Sequence, residues 1–310
     1  MTLREPPKKP QASRLIGRFV GLIVLLALFA LVVWTAATHQ QAGAIERSNP
    51  EVYAPGRFVT VQNVVVHVTT FGSGEPDTVF VHDDTTGGGA ALAALAEATA
   101  AESQGAVLVP DLVSFGFSSR PREPGRRLAT SGQAETLAAM LDQLGVVDSA
   151  VVGFGWGGEV ATELAVIRPD IVSRLVLVDT DALPIEDTGE DRLESLPFGV
   201  GEAFAYTLSG ASPGAEREFI DECPSWAECE EVAELYRRAA EIPGTARGIW
   251  ARQASDPAMV ALTRLDDLAV PVSVVAVDID EEAARQVADM FPHAEVVSLD
   301  ADELPGHLAS

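Results

Sequence analysis

The sequence predicts an α/β domain with a mostly parallel central sheet and helices on both faces, behind one apolar N-terminal segment. Three observations predict it. Apolar runs at Thr78-Val79-Phe80-Val81-His82 and Ala106-Val107-Leu108-Val109 suit strands buried on both faces, and strand-like runs recur at 172–180 and 270–277. Stretches with helical spacing separate these runs, which is the alternation of an α/β sheet. At Val151-Val152-Gly153-Phe154-Gly155-Trp156-Gly157-Gly158 a β-branched run feeds a tight glycine turn, and a helical pattern follows through Val160, Ala161, Leu164, Ala165 and Ile167.

The 310 residues allow one N-terminal segment and one large domain, and the formal charge of −25 is unevenly placed. Residues 1–18 hold five bases (Arg4, Lys8, Lys9, Arg14, Arg18) and one acid (Glu5), and no lysine follows Lys9. The rest carries 16 of the 21 basic and 45 of the 46 acidic residues, which argues against nucleic-acid binding by the domain. From Phe19 to Ala37 the chain is uncharged and apolar, long enough to cross a bilayer of ~30 Å, with Trp34 placed as an interfacial aromatic. The expected organisation is therefore a cytoplasmic basic tail (1–18), a transmembrane anchor (19–37), a linker (38–56) and the domain (57–310). Positive-inside reasoning puts the domain outside the cytoplasm of a single-pass cell-membrane protein. Cleavage after Ala42-Gly43-Ala44 would instead give a secreted domain. Cys223 and Cys229 suit a short-loop disulfide in that compartment, and no metal site or cofactor is expected.

Taken in order, residues 38–56 read as a polar tether broken by Asn49-Pro50 and Pro55-Gly56. Residues 58–61 and 64–70 read as an antiparallel pair, with His67 packing on or beside the sheet. Helices are expected at 90–102, 132–144 and 281–291, and a last strand at 294–299. A segment of different texture, about 183–262, is rich in acids and aromatics and reads as a helical insertion. The chain closes on Leu304-Pro305-Gly306-His307-Leu308-Ala309-Ser310.

The glycine turn at 153–158, together with Asp111-Leu112-Val113-Ser114-Phe115-Gly116-Phe117-Ser118-Ser119-Arg120-Pro121, closely resembles the α/β-hydrolase superfamily, in its haloalkane dehalogenase and epoxide hydrolase branch. That branch carries Asp-Trp-Gly-Gly at the strand–turn–helix elbow that presents the nucleophile. Here Gly155-Trp156-Gly157-Gly158 keeps the frame without the reactive side chain. The resemblance implies an oxyanion hole at Trp156 and at Asp84, which follows His82-Asp83 where the family has His-Gly. It implies a base at His307, within a terminal Gly-His, and an acid at Asp278 or Asp280, with Asp181 as the other position. It also makes 183–262 a cap over the pocket, which a Cys223–Cys229 bond would stiffen, and makes Ser118 a turn hydroxyl.

Nucleophile, base and anion hole act as a unit, so loss of the first and disturbance of the last predict a catalytically impaired protein. Its role would then be to bind a small apolar ligand or a protein partner. The alternative is an active hydrolase of ester, epoxide or haloalkane substrates. It would use Asp83 or Asp84 to attack or to activate water, with His307 as base.

Overall fold

The computed structural model describes residues 11–103, 105–123, 125–180, 183, 199–208, 215–221, 223–253, 255 and 263–310. Eight strands form one sheet: β1 (Arg57–Val61), β2 (Val64–Gly72), β3 (Pro76–Val81), β4 (Ala106–Pro110), β5 (Ser149–Phe154), β6 (Val172–Val178), β7 (Val272–Ala276) and β8 (Glu295–Ser298). The order is β1-β2-β4-β3-β5-β6-β7-β8, antiparallel at the β1/β2 edge and parallel from β4 onward. The β-branched runs fill the buried centre of this sheet, and the alternation of the edge pair matches its one wet face.

Period-two alternation sends side chains to two cores. Val79, Val81, Val151, Leu175, Leu177 and Val274 meet α4 (Thr130–Leu144), α5 (Gly157–Ile167) and α10 (Glu281–Ala288). Phe80, Val152, Phe154, Val176 and Val178 meet α3 (Ala93–Glu102) and the final helix α11 (Leu304–Ala309) on the other face. After β6 the chain enters the cap, whose described helices are α6 (Val200–Leu208), α7 (Ala215–Asp221), α8 (Cys229–Ala240) and α9 (Thr245–Gln253). Cys223 and Cys229 are disulfide-bonded there, as their spacing suggests.

The N-terminal segment departs from expectation. Helix α1 runs unbroken from Gln11 to Ile45, and its stretch from Ile16 is long and apolar enough to cross a membrane. No polar tether begins at residue 38. The polar residues stay helical because they pack: Ala42 is buried with Ala205, Tyr206, Ala246 and Ile249 of the cap. The Glu46 carboxylate accepts from the N–H groups of Gly244 and Ala246 (2.8 and 2.7 Å), capping α9. A short helix, α2 (Pro50–Tyr53), precedes β1.

His67 does more than pack beside the sheet. Its Nδ1–H donates to Asp111 Oδ2 (2.7 Å) and its Nε2–H to the Pro55 carbonyl, so both ring nitrogens carry protons. Burial opposes this charge, but the hydrogen bond and charge of Asp111 outweigh it and raise the imidazole pKa above its ordinary value. Asp111 also accepts from the N–H of Gly89 (2.8 Å) and Phe117 (2.7 Å). Ser118 is indeed a turn hydroxyl, donating to the Asp111 carbonyl at 2.6 Å and accepting from the His67 N–H at 2.9 Å.

Candidate active site at the elbow

The elbow lies at the carboxyl ends of β5 and β6, where an open α/β sheet places ligands. Gly155 follows β5 at φ +50°, its N–H donating to Val178 O (3.0 Å) and its carbonyl accepting from Thr180 Oγ1 (3.1 Å). The surrounding glycines let backbones meet: a Cβ on Gly153 would lie 2.5 Å from Gly158 Cα. The left-handed turn is therefore kept, although no side chain is presented at its apex.

A different side chain fills that space. A Cβ built on Gly155 would lie 2.5 Å from Asp83 Cγ and 2.7 Å from each Asp83 carboxylate oxygen. Asp83 Oδ1 accepts from the Trp156 N–H at 2.8 Å and the Asp84 N–H at 2.7 Å. Those two N–H groups belong to Trp156 and Asp84, where the resemblance leads one to expect an anion hole, and the neighbouring carboxylate is bound to both. Residue 83 is exposed as a whole, yet its carboxylate is tucked against the elbow. That desolvation raises its pKa, the two N–H groups oppose the rise, and the charge of Asp84 adds to it.

His82 fixes the loop that carries Asp83. Its Nε2 accepts from the Leu112 N–H (2.9 Å), so its proton is on Nδ1, which donates to the Asp83 carbonyl (2.5 Å). Burial lowers the pKa of this imidazole and keeps it neutral. The Asp84 carboxylate points to the cap instead, pairing with Arg252 of α9 at 2.8 Å. The Arg252 guanidinium lies over the Phe115 ring (4.5 Å) and near the Trp156 ring (6.0 Å). Glu159, one turn into α5, accepts from Thr130 Oγ1 (3.2 Å) and from Trp156. Desolvation first, then the charges of Asp84 and Asp83, push its pKa up to about 7.

The remaining sequence candidates do not converge on this point. His307 is not beside the elbow: residues 304–309 form α11, packed on α3. The charges acting on His307 are Arg174 and Glu295, at the starts of β6 and β8; burial and then Arg174 lower its pKa. From Arg174 to Val178, beside the elbow, the strand covers ~13 Å at 3.3 Å per residue. Asp280 is the N-cap of α10, accepting from the Ala283 N–H at 2.8 Å, and Asp278 accepts from the Ser225 N–H at 2.9 Å. Asp181 lies outside the described residues.

Sequence reasoning missed Asp179, at φ +47° after β6, whose Oδ1 accepts from the N–H of Val277 (2.8 Å) and Asp278 (3.0 Å). Its Oδ2 accepts from Trp226 Nε1 (3.1 Å), and the Trp226 ring packs on Phe154 (5.0 Å). The disulfide loop thus seats a cap tryptophan beside the elbow. Glu159 was findable from its place one turn after Trp156; Arg252 carried no signal. Among the described residues no group of three or more His, Cys, Asp or Glu side chains is placed to hold a metal ion.

Comparison with known proteins agrees with this architecture. Residues 87–269 match the family model described as alpha/beta hydrolase fold. A 2-hydroxymuconate semialdehyde hydrolase of Pseudomonas putida is 29% identical over 138 residues, 44% of this chain and 45% of that protein. A 2-hydroxy-6-oxo-2,4-heptadienoate hydrolase of the same species is 30% identical over 193 residues, 61% of this chain and 64% of that protein. The chain thus spans less than two thirds of each relative's length. Among solved structures, an epoxide hydrolase without ligand aligns with a TM-score of 0.56 at 21% identity, covering 81% of this chain and 93% of that one.

Proposed function

Starting from a chain that belongs to the α/β-hydrolase fold family, we propose that this protein is a membrane-anchored, extracytoplasmic member that binds rather than hydrolyses. The observation that carries the reading is the Asp83 carboxylate seated in the anion hole above Gly155. A hole already holding a carboxylate oxygen cannot receive a developing oxyanion, and like charge repels one. The expected base is displaced as well, because the charges acting on His307 are those of Arg174 and Glu295 near the starts of β6 and β8. Three components that work jointly are thereby altered together. The bonded Cys223–Cys229 pair and the bases at the start of α1 support an oxidising, extracytoplasmic side for the domain. A small apolar ligand beside the Phe115–Trp156 aromatic pair (ring centroids 5.6 Å apart) at the elbow is one form of binding, and a protein partner on the cap is the other.

The test is a panel of short-chain ester, epoxide and haloalkane substrates offered to the full chain in lipid nanodiscs, beside its Asp83→Ala variant. No turnover from either folded protein is expected. Turnover that vanishes in Asp83→Ala would establish the second reading, an active hydrolase with its nucleophile moved to Asp83. That reading is favoured by the exposure of this residue and by the lodging of its carboxylate in the nucleophile's space.

A further inference from the structure

The anchor reaches the cap without a spacer. Exposed apolar side chains line α1 from Ile16 to Val33, and the residue after them, Trp34, already stacks on Phe204 of α6, ring centroids 4.8 Å apart. Thr35 and Thr38 are buried next to it. Counted from Arg18, the last charge before the apolar run, ~20 helical residues cross the hydrocarbon. Trp34 to Thr38 therefore fall at its outer margin, and the cap is in contact with α1 at that depth.

The direction of α6 adds a second observation. His39 Nε2 meets the Gly199 carbonyl at 3.1 Å, while Trp34 meets Phe204. As the number falls by five on α1 it rises by five toward the carboxyl end of α6, so the helices run antiparallel. At ~1.5 Å per residue the last turn of α6 continues ~6 Å beyond Phe204 toward the bilayer, level with residues 30–31 of α1. Leu31, at 36% exposure, is the most covered of the large apolar residues there. Charge follows the same axis. Glu202, at the far end of α6, pairs with His39 and Arg247, and no charged residue follows until Glu216.

We propose that the cap docks on the bilayer, with the carboxyl-terminal half of α6 lying in the outer interfacial layer beside residues 30–34 of α1. This rests on the reading of α1 as a membrane span. The occupant of the surface is the zwitterionic lipid face itself, because the acidic domain would be repelled by an anionic one. Helix α6 packs on α9 through Ala205, Tyr206, Ala246 and Ile249, and α9 carries Arg252 to Asp84. The elbow is then one helix layer from the membrane.

The full chain in phosphatidylcholine vesicles, labelled with an environment-sensitive fluorophore at Thr207→Cys or Val147→Cys, tests this. Thr207 is exposed and its hydroxyl donates to the Ala203 carbonyl of its own helix, so a cysteine there leaves the described packing intact. Val147, 68% exposed just before β5, lies at the opposite end of the sheet from the elbow. Quenching by shallow spin-labelled lipid is expected to be about threefold stronger at 207 than at 147, as insertion ~5–10 Å into the headgroup boundary requires. Equal quenching from protein that survives a carbonate wash would overturn docking while leaving the anchor standing. Release by the wash would overturn the span and the docking with it.

Discussion

Two carboxylates in this protein sit in rings of backbone N–H donors against glycines, and they behave in opposite ways. Asp111 accepts from Gly89 and Phe117 and crowds Gly88 (φ +63°) and Gly116 (φ +48°); Asp83 accepts from Trp156 and Asp84 and crowds Gly155 (φ +50°). Asp111 has a cation, His67, against it, and although burial opposes its charge the pair holds its pKa below the ordinary carboxylate value. Among the described residues Asp83 has no such cation: Arg252 is spent on Asp84, and desolvation raises the Asp83 pKa. The same backbone device, with a counter-charge, builds a buried knot; without one, it holds a desolvated carboxylate by N–H groups alone. Arg120 extends the knot to the cap, donating to the carbonyls of Gly116, Ser118 and Ala239.

The largest expected effect breaks the knot. Asp111→Asn leaves the His67 imidazolium buried without its partner, a loss of about 3–5 kcal/mol. Thermal unfolding of the full chain in detergent should show it, and a loss under 1 kcal/mol would mean that the N–H ring alone holds this loop. The pH dependence has a definite sign. Asp111, depressed on folding, stabilises above its ordinary ~3.9 and loses that as pH falls through its lower native value. His67, raised on folding, stabilises below its ordinary ~6.5 and loses that as pH rises through its higher native value.

The second prediction tests whether Asp83 and Gly155 are a matched pair. Gly155→Ala meets both the left-handed backbone, about 1–2 kcal/mol for an L-residue, and the Asp83 carboxylate. In an Asp83→Gly background only the backbone term remains. A double-mutant cycle should therefore return a coupling of about 0.5–3 kcal/mol. Additivity would mean that Asp83 swings aside freely and that the hole is open in solution. The same reasoning says that a nucleophile restored at 155 alone will not fit, whereas Gly155→Ser with Asp83→Gly re-forms elbow and hole together.

These spatial pairings explain what was legible in the sequence. The elbow was, because β-branched residues before Gly153 and apolar spacing after Gly158 have local causes. The vacancy at Gly155 was visible too, but its filling by Asp83 depends on two loops that the parallel β3–β5 pairing brings together. His307 was misplaced because Gly-His was matched as a dipeptide; Leu304 and Leu308, one turn apart and fully buried, make that stretch a helix facing the core. The tether was misread for the opposite reason: residues 38–45 are locally polar, and only the cap surfaces around Ala42 and Glu46 keep them helical. Local pattern decided the sheet, and long-range packing decided the elbow and the carboxyl-terminal end of α1.

The smallest expected effect separates desolvation from charge at the elbow. Glu159 is raised on folding to about 7, so the fold binds its proton more tightly than the unfolded chain does. Stability should therefore fall as pH rises from its ordinary ~4.3 toward that native value. Glu159→Gln removes the slope: the variant should match the wild type near pH 4 and exceed it in Tm at pH 8. A constant difference across that range would mean that Glu159 is solvated and ionised in the fold. Repeating the comparison with Asp83→Ala sharpens it, because Asp83 is a named but minor source of the shift. The slope should shrink slightly and persist, since burial rather than the neighbouring charge is its main cause. A slope that disappears would reverse that order and make the Asp83, Asp84 and Glu159 carboxylates one coupled acidic group, which a ligand cation rather than an apolar ligand would satisfy.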